Sequence, residues 1–417
     1  MKRIYTLLFI ILFSLNLYAD KILVPMDNTQ TDHLHAYGLV YWTLTLGQKS
    51  EWLLNYKDGS FILDNTKEVA EKANLMGVST ITVNDADLTR IYQEIEENNM
   101  KRIFLNKAPK IAVYAPPFSD PWDDAVRLAL EYADVPYTRL WDKEVLLGDL
   151  EKYDWLHLHH EDFTGQYGKF YSSFRNMDWY KKKVAKFRQV ARLLGYTSVP
   201  REKRAVAKMI QDYVSKGGFL FAMCSATDTL DIALASDELD IVPEEIDGTG
   251  ITPNAQEKLD FNRTFAFTDF KLVFDPYVYE FSDIDINIMT EGLYNQPDTF
   301  SLFEFSAKID PVPTMLVQSH KNVIKGFLGQ TTAYNRKVIK EGITILAETP
   351  NTVRVKYIHG EFNKGTFTFL AGHDPEDYRH LVGDPPTDLS LHKNSAGFRL
   401  ILNNILYPAA KKNPQKT

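Results

Sequence analysis

Cys224 is the single cysteine of a 417-residue chain, in Gly217-Gly-Phe-Leu-Phe-Ala-Met-Cys224-Ser-Ala-Thr-Asp-Thr-Leu-Asp-Ile-Ala-Leu234. The apolar run from Phe219 to Met223 predicts a buried parallel strand. Ser225, Thr227 and Asp228 then offer helix-capping side chains, and Leu230, Ala233 and Leu234 follow at helical spacing. A thiol at such an elbow projects above the sheet at the positive end of a helix dipole. That placement lowers a thiol pKa and supplies backbone N–H groups for an oxyanion. The alternative is a core thiol, because free cysteines pack well as small hydrophobes.

Two further clusters fall at the downstream ends of predicted strands, where an open α/β sheet forms its ligand crevice. One is His157, His159, His160, Glu161 and Asp162; the other is Gly372-His373-Asp374-Pro375-Glu376-Asp377. With Cys224 as nucleophile, His373 can act as general base and acid, with Glu376 or Asp374 orienting its ring. His160, Glu161, Asp162 and Ser225 are then the candidate substrate contacts. The same inventory offers a metal site at His159, His160 and Glu161, although no HExxH or paired CxxC spacing occurs. His157 fits a hydrogen-bonded core histidine. Asp27, Gln30, His33 and His35 fit a pocket or helix caps equally well, and His359-Gly-Glu361 reads as exposed turn chemistry. No GxGxxG follows a strand and no Walker loop is present, so no nucleotide cofactor is supported.

The elements that must position these residues fall into successive blocks. Residues 1–19 read as a secretory leader: Lys2 and Arg3, an apolar Ile4–Leu17, and Leu17-Tyr-Ala19 before Asp20. Residues 20–107 predict a small α/β domain with a parallel or mixed sheet: strands at Lys21–Pro25, Glu51–Tyr56 and Ser79–Val83, helices between and after them. Residues 108–249 predict a central α/β domain. Its strands are Ile111–Ala115, Tyr137–Trp141, Tyr153–His159 and the Cys224 strand, with a helix capped by Asp120 and opened by Pro121. Its helices Trp179–Gly195 and Arg201–Lys216 carry many Lys and Arg, which read as solvated faces. Residues 250–350 predict a β-rich segment with strands at Tyr277–Phe281, Thr314–Gln318 and Gly342–Leu346. Residues 351–410 return to the central domain through a hairpin, Val353–Ile358 and Thr366–Leu370 around Asn363-Lys-Gly365, and a helix at Ser395–Leu406; 411–417 is a polar tail.

Composition sets outer bounds. The formal net charge of −8 disfavours a general nucleic-acid partner, which needs a basic stripe or domain. After the leader no apolar segment is long enough to span a bilayer, so an exported protein of the periplasm or medium is expected, with a small-molecule or envelope substrate. One cysteine cannot staple the chain internally, and 44% hydrophobic residues suffice for sizeable cores.

The order strand-Cys-helix, then much later strand-His-x-Pro-Glu, resembles the class I glutamine amidotransferase-like fold, a flavodoxin-like parallel sheet. The resemblance covers roughly 108–235 and 365–406 and implies Cys224, His373 and Glu376 as the catalytic set of an amide hydrolase or acyl-transfer enzyme. The chain departs from that pattern in three places. The elbow is Ala222-Met-Cys-Ser-Ala226 rather than Gly-x-Cys-x-Gly, Asp374 lengthens the His-to-Glu spacing, and His160-Glu-Asp-Phe163 replaces a glycine-rich oxyanion loop. Over its whole length the chain also resembles an exported Bacteroidota family labelled asparagine synthetase B. The segments are Val24-Pro-Met-Asp27, His33-Leu-His-Ala-Tyr-Gly38, Trp155 to Gly168 and Gly372 to Tyr378. The chemistry of that label needs an exposed first-residue cysteine and an SGGxDS-type loop, and the sequence contains neither. A non-catalytic module binding a glycan or envelope partner is the reading from a different class.

Overall fold

Asn55 and Gly59 take left-handed backbone, φ 64° and 87°, and fold the chain back between Ser50–Leu54 and Ser60–Asp64. That turn decides the first sheet. The computed structural model describes residues 21–118, 124–286, 299–316, 321–325, 329–377 and 385–410. Strands β1 (Lys21–Val24), β2 (Ser50–Leu54), β3 (Ser60–Asp64), β4 (Ile81–Val83) and β5 (Lys101–Leu105) lie in the order β4-β1-β3-β2-β5. Every pairing is antiparallel. This corrects the expected parallel or mixed sheet: β3 and β5 are additional strands, and the tight turn at Gly59 breaks the strand–helix alternation. The helices start as their caps dictate: Asp32 accepts from the His35 N–H at 2.9 Å, Thr66 from Val69, and Asn84 with Asp87 forms a capping box.

The second sheet comprises β6 (Ile111–Tyr114), β7 (Thr138–Leu140), β8 (Trp155–Leu158), β9 (Phe219–Met223), β10 (Thr299–Leu302), β11 (Val323–Lys325), β12 (Tyr334–Asn335), β13 (Thr344–Glu348), β14 (Arg354–Phe362) and β15 (Gly365–Leu370). Its path is β11-β10-β13-β14-β15-β9-β8-β6-β7, with β12 pairing β14. Strands β7, β6, β8, β9 and β15 pair in parallel, and the rest are antiparallel. The chain is therefore a mixed α/β fold with a parallel-containing sheet. One face packs with the His33–Thr45, Ala125–Tyr132 and Ala396–Leu406 helices and the first sheet in a continuous core. The other face packs on Val199–Ser215 and Ala226–Ala235. Strands buried on both faces read as unbroken apolar runs, which is why Phe219–Met223 was legible.

Several expectations change. The leader at 1–19, the Asp120–Pro121 helix start and the tail at 411–417 lie outside the described residues. The helix after β6 is capped instead by Asp124, whose Oδ1 accepts from Val126 and Arg127 N–H at 2.9 and 3.1 Å. Tyr277–Phe281 is a turn, because the Asp275 carboxylate accepts from the Tyr277 N–H at 2.8 Å and bends the chain locally. Pro313 opens a 3₁₀ turn over Pro313–Met315 in place of the strand expected from Thr314; 317–318 lie outside the described residues. His359 is not turn chemistry. It sits inside β14, buried, with Nδ1 2.8 Å from Thr368 Oγ1. Among the described residues no helix is long and apolar enough to cross a membrane.

Candidate functional site

The downstream ends of β6, β8, β9 and β15 converge on a cavity of about 880 Å³, lined among others by Asp124, His159, His160, Glu161, Asp162, Cys224, Gly329 and His373. Parallel register delivers them there. Leu158 pairs with Ala222 and Met223 with Leu370, so His159, Cys224 and His373 emerge from neighbouring strands at one edge.

Cys224 has φ 52°, the left-handed backbone of a sharp strand-to-helix turn. The side chain is 2% exposed. Its N–H donates to Gly372 O at 3.1 Å, and the Ala226 N–H donates to His159 O at 3.0 Å. The elbow is thus tied to both neighbouring strand ends. Gly329 crosses above with φ 119°. A Cβ there would sit 2.6 Å from His373 Cβ and 3.8 Å from Cys224 Sγ, so both functional groups border the space beside this glycine.

The histidines form one aromatic stack. His159 and His373 rings are perpendicular with centroids 4.5 Å apart, and His160 stacks on His373 at 5.7 Å. Ligand atoms of His159, His160 and His373 all lie within 4.8 Å of one another, as do those of Asp124, His157 and His159. Asp124 anchors the stack from below, its Oδ1 3.2 Å from His157 Nε2 and 3.6 Å from His159 Nδ1. Burial opposes ionisation of Asp124, yet the attraction and hydrogen bond of His157 hold its pKa below the usual range. His157 is the expected core histidine, with Nδ1 3.1 Å from Phe221 O.

The acidic candidates divide differently from expectation. Glu161 belongs to a charged cluster with the buried Lys203; burial raises its pKa and the charges of Lys203 and His160 oppose the rise. The histidine cluster that could hold a metal is completed by His373, not Glu161. Asp162 closes its own loop, accepting from Thr164 N–H and Oγ1 and, at 2.8 Å, from the Gly168 N–H. Asp374 accepts from the Glu376 and Asp377 N–H groups and from Thr387 Oγ1; burial raises its pKa while the His373 charge pulls it down. Glu376 reaches His392 Nδ1 at 3.3 Å. Ser225 occupies the helix N-cap without a side-chain capping bond, in helical backbone, because the elbow turns at the residue before it.

Thr331 joins what the sequence keeps apart. Its hydroxyl donates to Asp228 Oδ1 at 3.1 Å, its N–H donates to Asp285 Oδ2 at 3.2 Å, and its carbonyl accepts from the Gly372 N–H at 2.9 Å. The insertion thus locks the helix after Cys224 to the loop before His373. Burial, with the Glu280 charge, pushes Asp285 up to about 7, and burial with the Asp285 charge holds Asp228 well above the carboxylate range. Gly329, Thr331 and Asp285 had no motif to reveal them. Their only sequence signals are a glycine and ordinary polar residues 61 to 107 positions from Cys224. A larger cavity of about 2090 Å³ opens at the opposite ends of the strands, lined by Phe219, Gly365, Lys216 and Lys340 among others, away from this cluster.

No family model matches the chain, and no curated protein matches it. Among solved structures, the chain is similar to the cytoplasmic protein STM3548 from Salmonella typhimurium at 10% identity, covering 73% of this chain and 100% of that one, TM-score 0.34. Cytoplasmic protein STM1381 from Salmonella typhimurium LT2 gives 13% identity, 72% and 100% coverage, and TM-score 0.35. Gan42B, a GH42 beta-galactosidase, gives 10% identity, 69% and 31% coverage, and TM-score 0.28. At such scores these likenesses carry no weight for function.

Proposed function

We propose that this chain is a cysteine-dependent amide hydrolase or acyl-transfer enzyme of the class I glutamine amidotransferase-like fold. The observation that carries the reading is the left-handed Cys224 elbow hydrogen-bonded to Gly372, which sets the thiol and His373 on one cavity wall. The parallel order β7-β6-β8-β9-β15 supports the flavodoxin-like assignment, since it is second-first-third-fourth-fifth in chain order. In the proposed reaction His373 takes the Cys224 thiol proton and sulfur attacks the amide carbonyl carbon. The Ser225 N–H, at the N-cap of the following helix, is the proposed donor to the developing oxyanion. The imidazolium returns its proton to the leaving amine as the C–N bond breaks, and water, deprotonated by His373, then cleaves the thioester. Asp374, which attracts the His373 charge, supports the imidazolium better than Glu376, which is engaged with His392.

The test is alkylation of Cys224 by iodoacetamide at pH 7, followed by mass spectrometry. Fast labelling that slows at least tenfold in His373→Ala supports the dyad; a native thiol no faster than one in unfolded protein overturns it.

A second reading rests on the mutual proximity of the His159, His160 and His373 ligand atoms. Zinc held there at about 2.0–2.1 Å from ring nitrogens would claim the same imidazole that the thiol needs. Zinc that raises thermal stability in wild type but not in His160→Ala, while slowing Cys224 labelling, would favour this reading; no zinc effect on either would dismiss it.

A further inference from the structure

Helix Asp178–Leu193 carries the expected solvated basic face, and part of that face borders the mouth of the Cys224 cavity. Trp179, Lys182, Lys183, Lys186 and Phe187 all line it, at the three- and four-residue spacing that places side chains on one helix stripe. Aromatic rings separate the cations: Lys183 Nζ lies 5.6 Å from the Phe170 ring centre, and Lys186 Nζ lies 5.5 Å from that of Phe118. The cavity's own carboxylates are engaged away from Lys182 and Lys186: Asp162 by Thr164 and Gly168, Asp124 by His157, and Glu161 by the charges of Lys203, His160 and Lys183. Lys182 and Lys186 are exposed at the mouth and make no ion pair among the described residues. A local positive field in a chain of net charge −8 attracts anions into a wall of low dielectric.

We infer that the cavity takes an anionic substrate, an amide whose ring-bearing or apolar stem lies on Phe170, Trp179 and Phe187 and whose carboxylate or equivalent anion meets Lys182 and Lys186. This rests on the proposed cysteine chemistry for the reacting end, but the anion preference belongs to the helix stripe and is separable from it. Neutral amides would enter without the electrostatic gain, and salt would weaken only the anionic class.

Two measurements separate the claims. In Cys224→Ser protein, binding of hippurate and of its uncharged amide is followed by calorimetry, with Lys182→Gln/Lys186→Gln as the comparison. These exposed helix positions tolerate glutamine, which is a good helix former. We expect hippurate to bind at least tenfold tighter than the amide, with that preference abolished in the double variant and eroded by 0.5 M salt. Equal binding of the two compounds, or a preference that survives in the double variant, overturns the inference. In protein retaining Cys224, iodoacetate should alkylate at a rate at least equal to iodoacetamide, and the double variant should lower the iodoacetate rate alone by about fivefold. A thiol inert to both reagents sinks the cysteine mechanism and leaves the calorimetric result to decide the anion site.

Discussion

The carbonyl of Gly372 accepts the backbone hydrogen bond of Cys224 at 3.1 Å, just past the last register pair of β9 and β15, Met223 with Leu370. This single bond couples the nucleophile elbow to the histidine loop, so any change in one strand end is felt by the other. The space above the pair is set by Gly329.

Gly329→Ala should damage the site directly. A Cβ would stand 2.6 Å from His373 Cβ, and the φ of 119° strains any side chain. We expect a loss of about 1–3 kcal/mol in urea unfolding together with at least tenfold slower Cys224 alkylation. Unchanged alkylation would show that His373 does not depend on this close approach.

Thr331→Val keeps the branched shape but removes the hydroxyl that donates to Asp228. Leaving that buried carboxyl short of a partner should cost about 1–3 kcal/mol. Thr331 holds φ 53°, unusual for a β-branched side chain, so crystallography should show residues 329–332 relaxing. A variant as stable as wild type would remove Thr331 from its role as a clamp.

Asp285 gives a pH dependence whose sign can be worked out. Burial and the Glu280 charge raise its pKa from 3.8 to about 7 in the fold. Below about pH 4 both folded and unfolded states hold the proton, and the contribution is fully present. Between pH 4 and 7 the unfolded chain releases it while the fold retains it, so stability falls as pH rises through 7. Asp285→Asn should therefore be more stable than wild type at pH 8 by a few kcal/mol at most, and little different at pH 4. Chemical denaturation at the two pH values checks this; equal differences at both would refute it.

Lys203 is buried with Nζ 2.8 and 2.9 Å from the Asp142 oxygens and 3.0 Å from Tyr114 Oη. Lys203→Met leaves Asp142 buried without its cation. A loss of about 3–5 kcal/mol is expected, with a smaller loss in Lys203→Met/Asp142→Leu, where Asp142 is no longer a buried charge without its cation. A double variant as unstable as the single would point to packing instead of charge.

Periodicity carried the parallel half of the main sheet. Phe219–Met223 is buried on both faces, and its apolar run followed by capping residues specified strand, elbow and helix without knowledge of neighbours. The hairpin around Asn363-Lys-Gly365 was equally local, since Asn363 takes φ 53° at the turn. Residues His160, Glu161 and Asp162 were visible as a charged cluster, but their separate duties were not. Whether a carboxylate faces a cavity or a lysine depends on which distant element packs beside it, as Lys203 does for Glu161, while Asp162 is taken up by the turn of its own loop at Thr164 and Gly168. The strand order of the first sheet and the placing of the lysine stripe at the cavity mouth were decided the same way, by elements far apart in sequence, whereas the turn at Asp275 is a local side-chain contact that the apolar pattern did not reveal. Thr331 is the clearest case: its hydrogen bonds to Asp228, Asp285 and Gly372 give it meaning, and all three partners lie at least forty residues away.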